Sequence, residues 1–87
     1  MSNAAEEIVL KFHSYSPDTI TLGVEALTIN CNTTNKVWVA GDTLILEHSG
    51  ATGTSTIVAV HATSVDVNIT ATNKPGFTAT GWELAKV

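Results

Sequence analysis

Residues 37–70 read V-W-V-A-G-D-T-L-I-L-E-H-S-G-A-T-G-T-S-T-I-V-A-V-H-A-T-S-V-D-V-N-I-T. Three apolar, β-branched runs fall at 44–46, 57–60 and 65–69. The first follows Gly41-Asp42, the second Gly50-Ala51-Thr52-Gly53, the third Ala62-Thr63-Ser64. Short β-branched runs between turn formers are the pattern of tightly wound antiparallel strands. Gly41 can supply a positive φ, and Asp42 can bond nearby backbone. The stretch therefore predicts strands at 43–48, 55–61 and 64–70, with a hairpin tip at Gly50–Gly53. It carries almost no chemistry.

The flanks continue the rhythm. From Glu6 to His13, Ile8, Leu10 and Phe12 alternate with Val9, Lys11 and His13, which predicts a strand with one buried face. Ser14–Asp18 is expected to break it, because Pro17 lacks a donor and biases Ser16 toward extended geometry. Thr19–Leu22 and Ala26–Cys31 alternate again and predict a hairpin around Gly23-Val24. Asn32–Lys36 is a polar loop, and Val37–Val39 a short strand or extended arm. Asn73-Lys74-Pro75-Gly76 is a turn. Phe77–Val87 then closes the sheet, with Trp82 and Leu84 facing inward.

About six to seven short strands with turns every ~8–12 residues imply an all-β domain. At this size a small antiparallel β-barrel, SH3-like or OB-like, is more economical than the alternative β-sandwich. Closure removes exposed strand edges, which otherwise template aggregation. Threonine, valine and isoleucine make up about a third of the 87 residues. They are stiff at χ1 and suit a pleated surface. One domain is expected over residues 6–87. Residues 1–5 are set apart as a flexible N-terminus, since Met1-Ser2-Asn3-Ala4 partly resembles a tag remnant.

Composition narrows the function. The net charge is −4, with four lysines and no arginine. A nucleic-acid binder needs clustered positive charge to release counterions from phosphate, and this chain has none. No apolar run approaches the ~18 residues of a membrane-spanning helix, so no membrane insertion is expected. The single cysteine, Cys31, cannot form a disulfide within the chain and reads as a small buried hydrophobe. A core this small favours oligomerisation.

The reactive side chains form no recognisable motif. His13, His48 and His61 can each ligate a metal, but none of their spacings is a ligand pattern. In a trimer, one histidine could meet its copies on the three-fold axis. Asp42 with Glu47 or Asp66 is an arithmetically possible carboxylate pair, and nothing singles it out. Ser49 lies beside His48, yet neighbours in a strand point to opposite faces. Gly50–Ser55 lacks the Gly-Lys-Ser/Thr ending and the following helix of a phosphate loop. No catalytic, cofactor-binding or metal-binding residue is assigned, no cofactor is expected, and the chain is read as no enzyme. The candidate partner interface is Val37, Trp38 and Val39. Either Trp38 is an anchor presented to a partner, or it is core with the valines half-exposed.

From residue 14 onward the chain resembles a short β module of tailed-bacteriophage tail, fibre and virion-associated structural proteins. The likeness lies in the order of low-specificity phrases. Ser16-Pro17-Asp18-Thr19-Ile20-Thr21-Leu22-Gly23 is similar to its Ser/Thr-rich opening strand ending in glycine. Ala26-Leu27-Thr28-Ile29 matches a T-F-T-V strand, and Trp38–Leu46 matches a phrase like F-V-A-G-Q-R-V-R-I. Gly53–Thr70 loosely follows G-x-V-x-x-x-x-G-T-x-L-x-V-x-V. Gly76–Leu84 matches a closing G-T-Y-x-x-W-x-I. Thr43 and Ile45 replace the module's basic residues, and Ala62-Thr63-Ser64 replaces its inter-strand glycine. The resemblance implies a non-enzymatic part of a virion, assembled in the bacterial cytoplasm, in a tail, fibre or capsid-decorating role. Its partners would be other virion proteins and itself, as a homo-oligomer with a trimer favoured. The residue-level alternative is a stand-alone glycan- or ligand-binding barrel.

Overall fold

The computed structural model describes residues 12–87, with side chains from Ser14 onward. Six strands follow in order: β1 (Phe12–Thr21), β2 (Ala26–Asn30), β3 (Thr43–His48), β4 (Ala51–Val60), β5 (Ser64–Thr72) and β6 (Thr78–Lys86). They form one sheet ordered β1-β6-β3-β4-β5-β2, with every pairing antiparallel. The sheet curls until β1 and β2 face each other, which makes a nearly closed barrel of the expected all-β class. Because directions alternate, one end gathers the 31–42 loop, the 61–63 turn and Val87. The other gathers the turns after β1, β3 and β5.

The period-2 pattern fills the interior. Leu44 and Leu46, then Ile57, then Val65, Val67 and Ile69, then Trp82 and Leu84 are all buried in one cluster. Each such side chain contributes roughly 1.5–3 kcal/mol over its exposed state. Ser55 is buried too, and its hydroxyl donates to the Leu44 carbonyl at 2.8 Å. Outside, threonines pair across strands: the hydroxyls of Thr19 and Thr80, and of Thr21 and Thr78, lie 2.6 Å apart. Such pairs are a small stabilising unit of a sheet and explain part of the threonine content.

Four local expectations are corrected. First, Pro17 does not break β1. The β1–β6 register slips between Ser16 and Thr19, so Pro17 sits in a bulge of an edge strand, where no donor is needed. The Asp18 amide there donates to the Ser16 hydroxyl at 3.2 Å. Second, β1 and β2 are no ladder-paired hairpin. β1 bonds β6 and β2 bonds β5, because those registers put both apolar faces on the core. Third, Val37–Val39 is not a strand but part of the loop between β2 and β3. Fourth, the β3–β4 tip is only Ser49-Gly50, with φ of 50° and 86°, as a two-residue type I′ turn requires. β4 therefore begins at Ala51, and Gly53 lies inside it, buried. Of the strand expected over Glu6–His13, only Phe12 and His13 are described, both in β1; the rest, like the terminus at 1–5, lies outside the described residues.

The β1–β2 join is made by side chains. Asp18 Oδ2 accepts from the Asn30 amide at 2.9 Å, and Asn30 Nδ2 donates to both Asp18 oxygens at 3.3 Å. Ser14 Oγ donates to the Asn32 carbonyl at 2.9 Å. Replacing Asp18→Ala is expected to cost ~1 kcal/mol in denaturant unfolding and to speed hydrogen exchange at the Asn30 amide. Unchanged exchange there would mean the join does not depend on the carboxylate.

Gly53 is set by space. A Cβ at this position would lie 2.9 Å from Leu22 Cδ2, and Leu22 is itself fully buried. Gly53→Ala is expected to destabilise the barrel by ~1–3 kcal/mol through overpacking. Adding Leu22→Val should recover part of the loss, read as the shift in denaturation midpoint.

Candidate functional site

The register that builds the barrel also builds an open cleft across β1, β6 and β3. Tyr15 pairs with Glu83 across β1–β6, and Glu83 pairs with Glu47 across β6–β3. These three, with His48, Ser49 and Gly81, line a cleft of about 300 Å³. Tyr15 is 60% exposed, and its ring lies over Gly81, where a Cβ would meet the phenol. Glu47 is steered by the hairpin tip, since its Oε2 accepts from the Gly50 amide at 3.0 Å. Two carboxylates directly opposite one another are mildly unfavourable in a sheet.

His48 belongs to this cleft but is turned toward the barrel rim. Its Nδ1 lies 2.7 Å from the Gly81 carbonyl. A carbonyl only accepts, so Nδ1 carries the proton. The ring packs at 5.5 Å from Trp82 and 5.9 Å from Phe77. That makes His48 a wedge between strands. Lys74 Nζ covers the Phe77 ring at 4.6 Å.

The other sequence candidates scatter. His61 lies past the end of β4, at the end of the barrel away from His48, and its Nε2 is 2.9 Å from Asp66 Oδ2. His13 is in β1, and its side chain is outside the described ones. Among the described residues, no three His, Cys, Asp or Glu side chains gather as metal ligands. Asp42 caps a turn, where its Oδ2 accepts from the Val39 amide at 3.0 Å and lies 3.7 Å from Lys86 Nζ. Asp42 and Glu47 sit at opposite ends of β3, roughly 16 Å apart at strand rise, so they share no site. Asp66 serves β5–β2 and the turn at His61.

Cys31 is buried, and burial pushes its thiol up in pKa against a bond from Ser14. A protonated, covered thiol is a poor nucleophile, which fits the small-hydrophobe reading. Trp38 is core, at 5% exposure, while Val37 and Val39 stand out at 76% and 59%. A partner meeting this loop on the folded barrel touches the valines and not the indole.

Glu83 and Tyr15 were invisible as site residues in the sequence. They are 68 positions apart, and only the β1–β6 register brings them together.

Asp66 generates a pH prediction. Hydrogen bonds from His61 and then Thr28, whose hydroxyl donates at 2.8 Å, hold its carboxyl below the usual carboxylate range. A lowered native pKa contributes stability above the unfolded value near ~3.9 and loses it as pH falls through the native value. The stability gap between wild type and Asp66→Asn should therefore be full above about pH 5 and close progressively below about pH 4. Denaturant midpoints across pH 2–7 check it, and a gap that persists at the acid end counts against the assignment.

The chain matches no protein-family model, no curated protein and no solved structure.

Proposed function

We propose that this chain is a non-enzymatic structural module of a bacteriophage or prophage virion, acting in a tail, fibre or capsid-decorating role through protein–protein assembly. The ordered likeness of its phrases to the tail and fibre module, over residues 14–87, carries this reading. In the fold, Ser16–Gly23 is the second half of β1 with its turn, Trp38–Leu46 runs from the β2–β3 loop through the Asp42 turn into β3, and Gly76–Leu84 is the turn into β6 with most of β6. The partners proposed are other virion proteins and further copies of the chain. Exposed Val37 and Val39 supply surface for such contacts.

One observation favours a second reading. Exposed Tyr15 beside Glu47 and Glu83 in an open cleft is an aromatic platform with acceptors, a surface suited to a sugar. In that case the barrel is a glycan-binding module.

Density-gradient particles from the induced source bacterium should contain the chain at a fixed ratio to capsid protein, by mass spectrometry. Its absence from particles, with the chain found only among soluble host proteins, would overturn the virion role. Saturable perturbation of the Tyr15 and Gly81 amides by an oligosaccharide, lost in Tyr15→Ala, would instead establish the second reading.

A further inference from the structure

Three outward side chains stand in one row across β1, β6 and β3. Tyr15 pairs with Glu83, and Glu83 pairs with Glu47. Leu46, Trp82 and Leu84 beside them are buried, so the row faces out of the barrel. Directly opposed side chains leave the backbone only ~4.5–5.5 Å apart at Cβ. The aromatic ring and both carboxylates therefore address one volume, the open cleft.

The row is held in place before any ligand arrives. The Tyr15 phenol fills the space that a Cβ at Gly81 would need, and Gly81 has φ of 88°, which glycine adopts without strain. The ring is thus seated on backbone and still 60% exposed. Glu47 is fixed by the Gly50 amide, which donates to its Oε2 at 3.0 Å. Groups already ordered lose little freedom on binding.

The charge of the row is unanswered. Among the described residues the ion pairs are His61–Asp66 and Lys86–Asp42, and neither involves Glu47 or Glu83. Lys74 lies over Phe77, and Lys36 lies in the loop at the other end of the barrel. No lysine lines the cleft. Two opposed carboxylates weaken the sheet that carries them, and a cation between them reverses the sign.

The chemistry of the row selects the cation. A calcium ion takes ~6–8 oxygens, and two carboxylates supply too few. A neutral sugar stacks on the ring and leaves the carboxylates opposed. A guanidinium uses all three groups, because it stacks on an aromatic face and forks its donors to carboxylates. The chain has no arginine, so a second copy cannot supply one.

We infer that this cleft receives an arginine side chain of a different protein, stacked on Tyr15 and bonded to Glu83 and Glu47. The inference rests on the protein–protein assembly proposed above and names one of its contacts. It does not depend on the assembly being a virion.

The test titrates the isotope-labelled full chain with a short peptide carrying one arginine. The matched control carries citrulline, which keeps the shape and removes the charge. The arginine peptide should shift the Tyr15, Gly81 and Glu83 amides saturably, and the citrulline peptide should bind at least about tenfold more weakly. Glu83→Gln and Tyr15→Leu should each weaken arginine binding at least about threefold, with the other amides unmoved. Equal binding of the two peptides overturns the inference, and needs no variant to do so. Shifts that map elsewhere on the barrel also overturn it. So does an oligosaccharide that shifts these amides where the arginine peptide does not, and that result leaves the sugar reading standing. Absence of the chain from particles, with arginine binding intact, removes the virion role and leaves the contact.

Discussion

The barrel depends on the join between β1 and β2. Ten of its twelve strand edges are satisfied by backbone ladders, and the last two meet through Asp18, Asn30, Ser14 and Asn32. A small sheet left open there would expose two unpaired edges, each a template for another chain. Side chains close the gap where the register of β1 and β2 is already committed elsewhere. The bulge at Pro17 is part of the same solution: it bends β1, and Asp18 follows it directly. A proline that looks like a strand breaker is therefore one of the residues that lets the strand curve around to its neighbour.

Closure also decides what the surface can do. Tight curvature brings β1, β6 and β3 side by side, which sets Tyr15, Glu83 and Glu47 in a row and forms the cleft beside His48. The same curvature separates His48 from His61 and Asp42 from Glu47, because they sit at opposite ends of strands. The described polar side chains are largely spent on structure. Asp42 caps a turn, Asp66 ties β5 to β2, His48 wedges the rim, and Thr33 donates to the carbonyls of His61 and Ala62. The chemistry visible in composition is thus mainly the chemistry of holding turns.

How much of this was legible in the sequence follows from the range of each constraint. The β-branched and apolar runs around Leu44 and Leu46, and around Val65, Val67 and Ile69, are local signals, and they placed those strands correctly. The Gly41-Asp42 turn was local too, and Gly41 has φ of 97°. Gly53 misled because its reason is distant: Leu22, from the other side of the barrel, occupies the space a side chain would need. It reads as a loop glycine in sequence and is a packing glycine in the fold. Trp38 was balanced between core and interface because its flanking valines look the same in either case, and only the depth of the loop decides it. The cleft was hidden entirely, since register between non-consecutive strands leaves no mark on either strand alone.

These constraints meet at the valine-bearing end. A single-layer core of this size has little apolar surface to spare. Random drift would scatter exposed valines over the barrel, each of them tolerable alone. Instead Val37, Val39, Val60 and Val87 share the end at which β1 starts. Burying them within the chain would require another layer that the described residues do not contain. Trp38 already fills the interior beneath them, so the loop cannot turn its valines inward without expelling the indole. The loop is therefore committed by its own tryptophan to present valine outward. The apolar character of this end is a consequence of the way the core is filled.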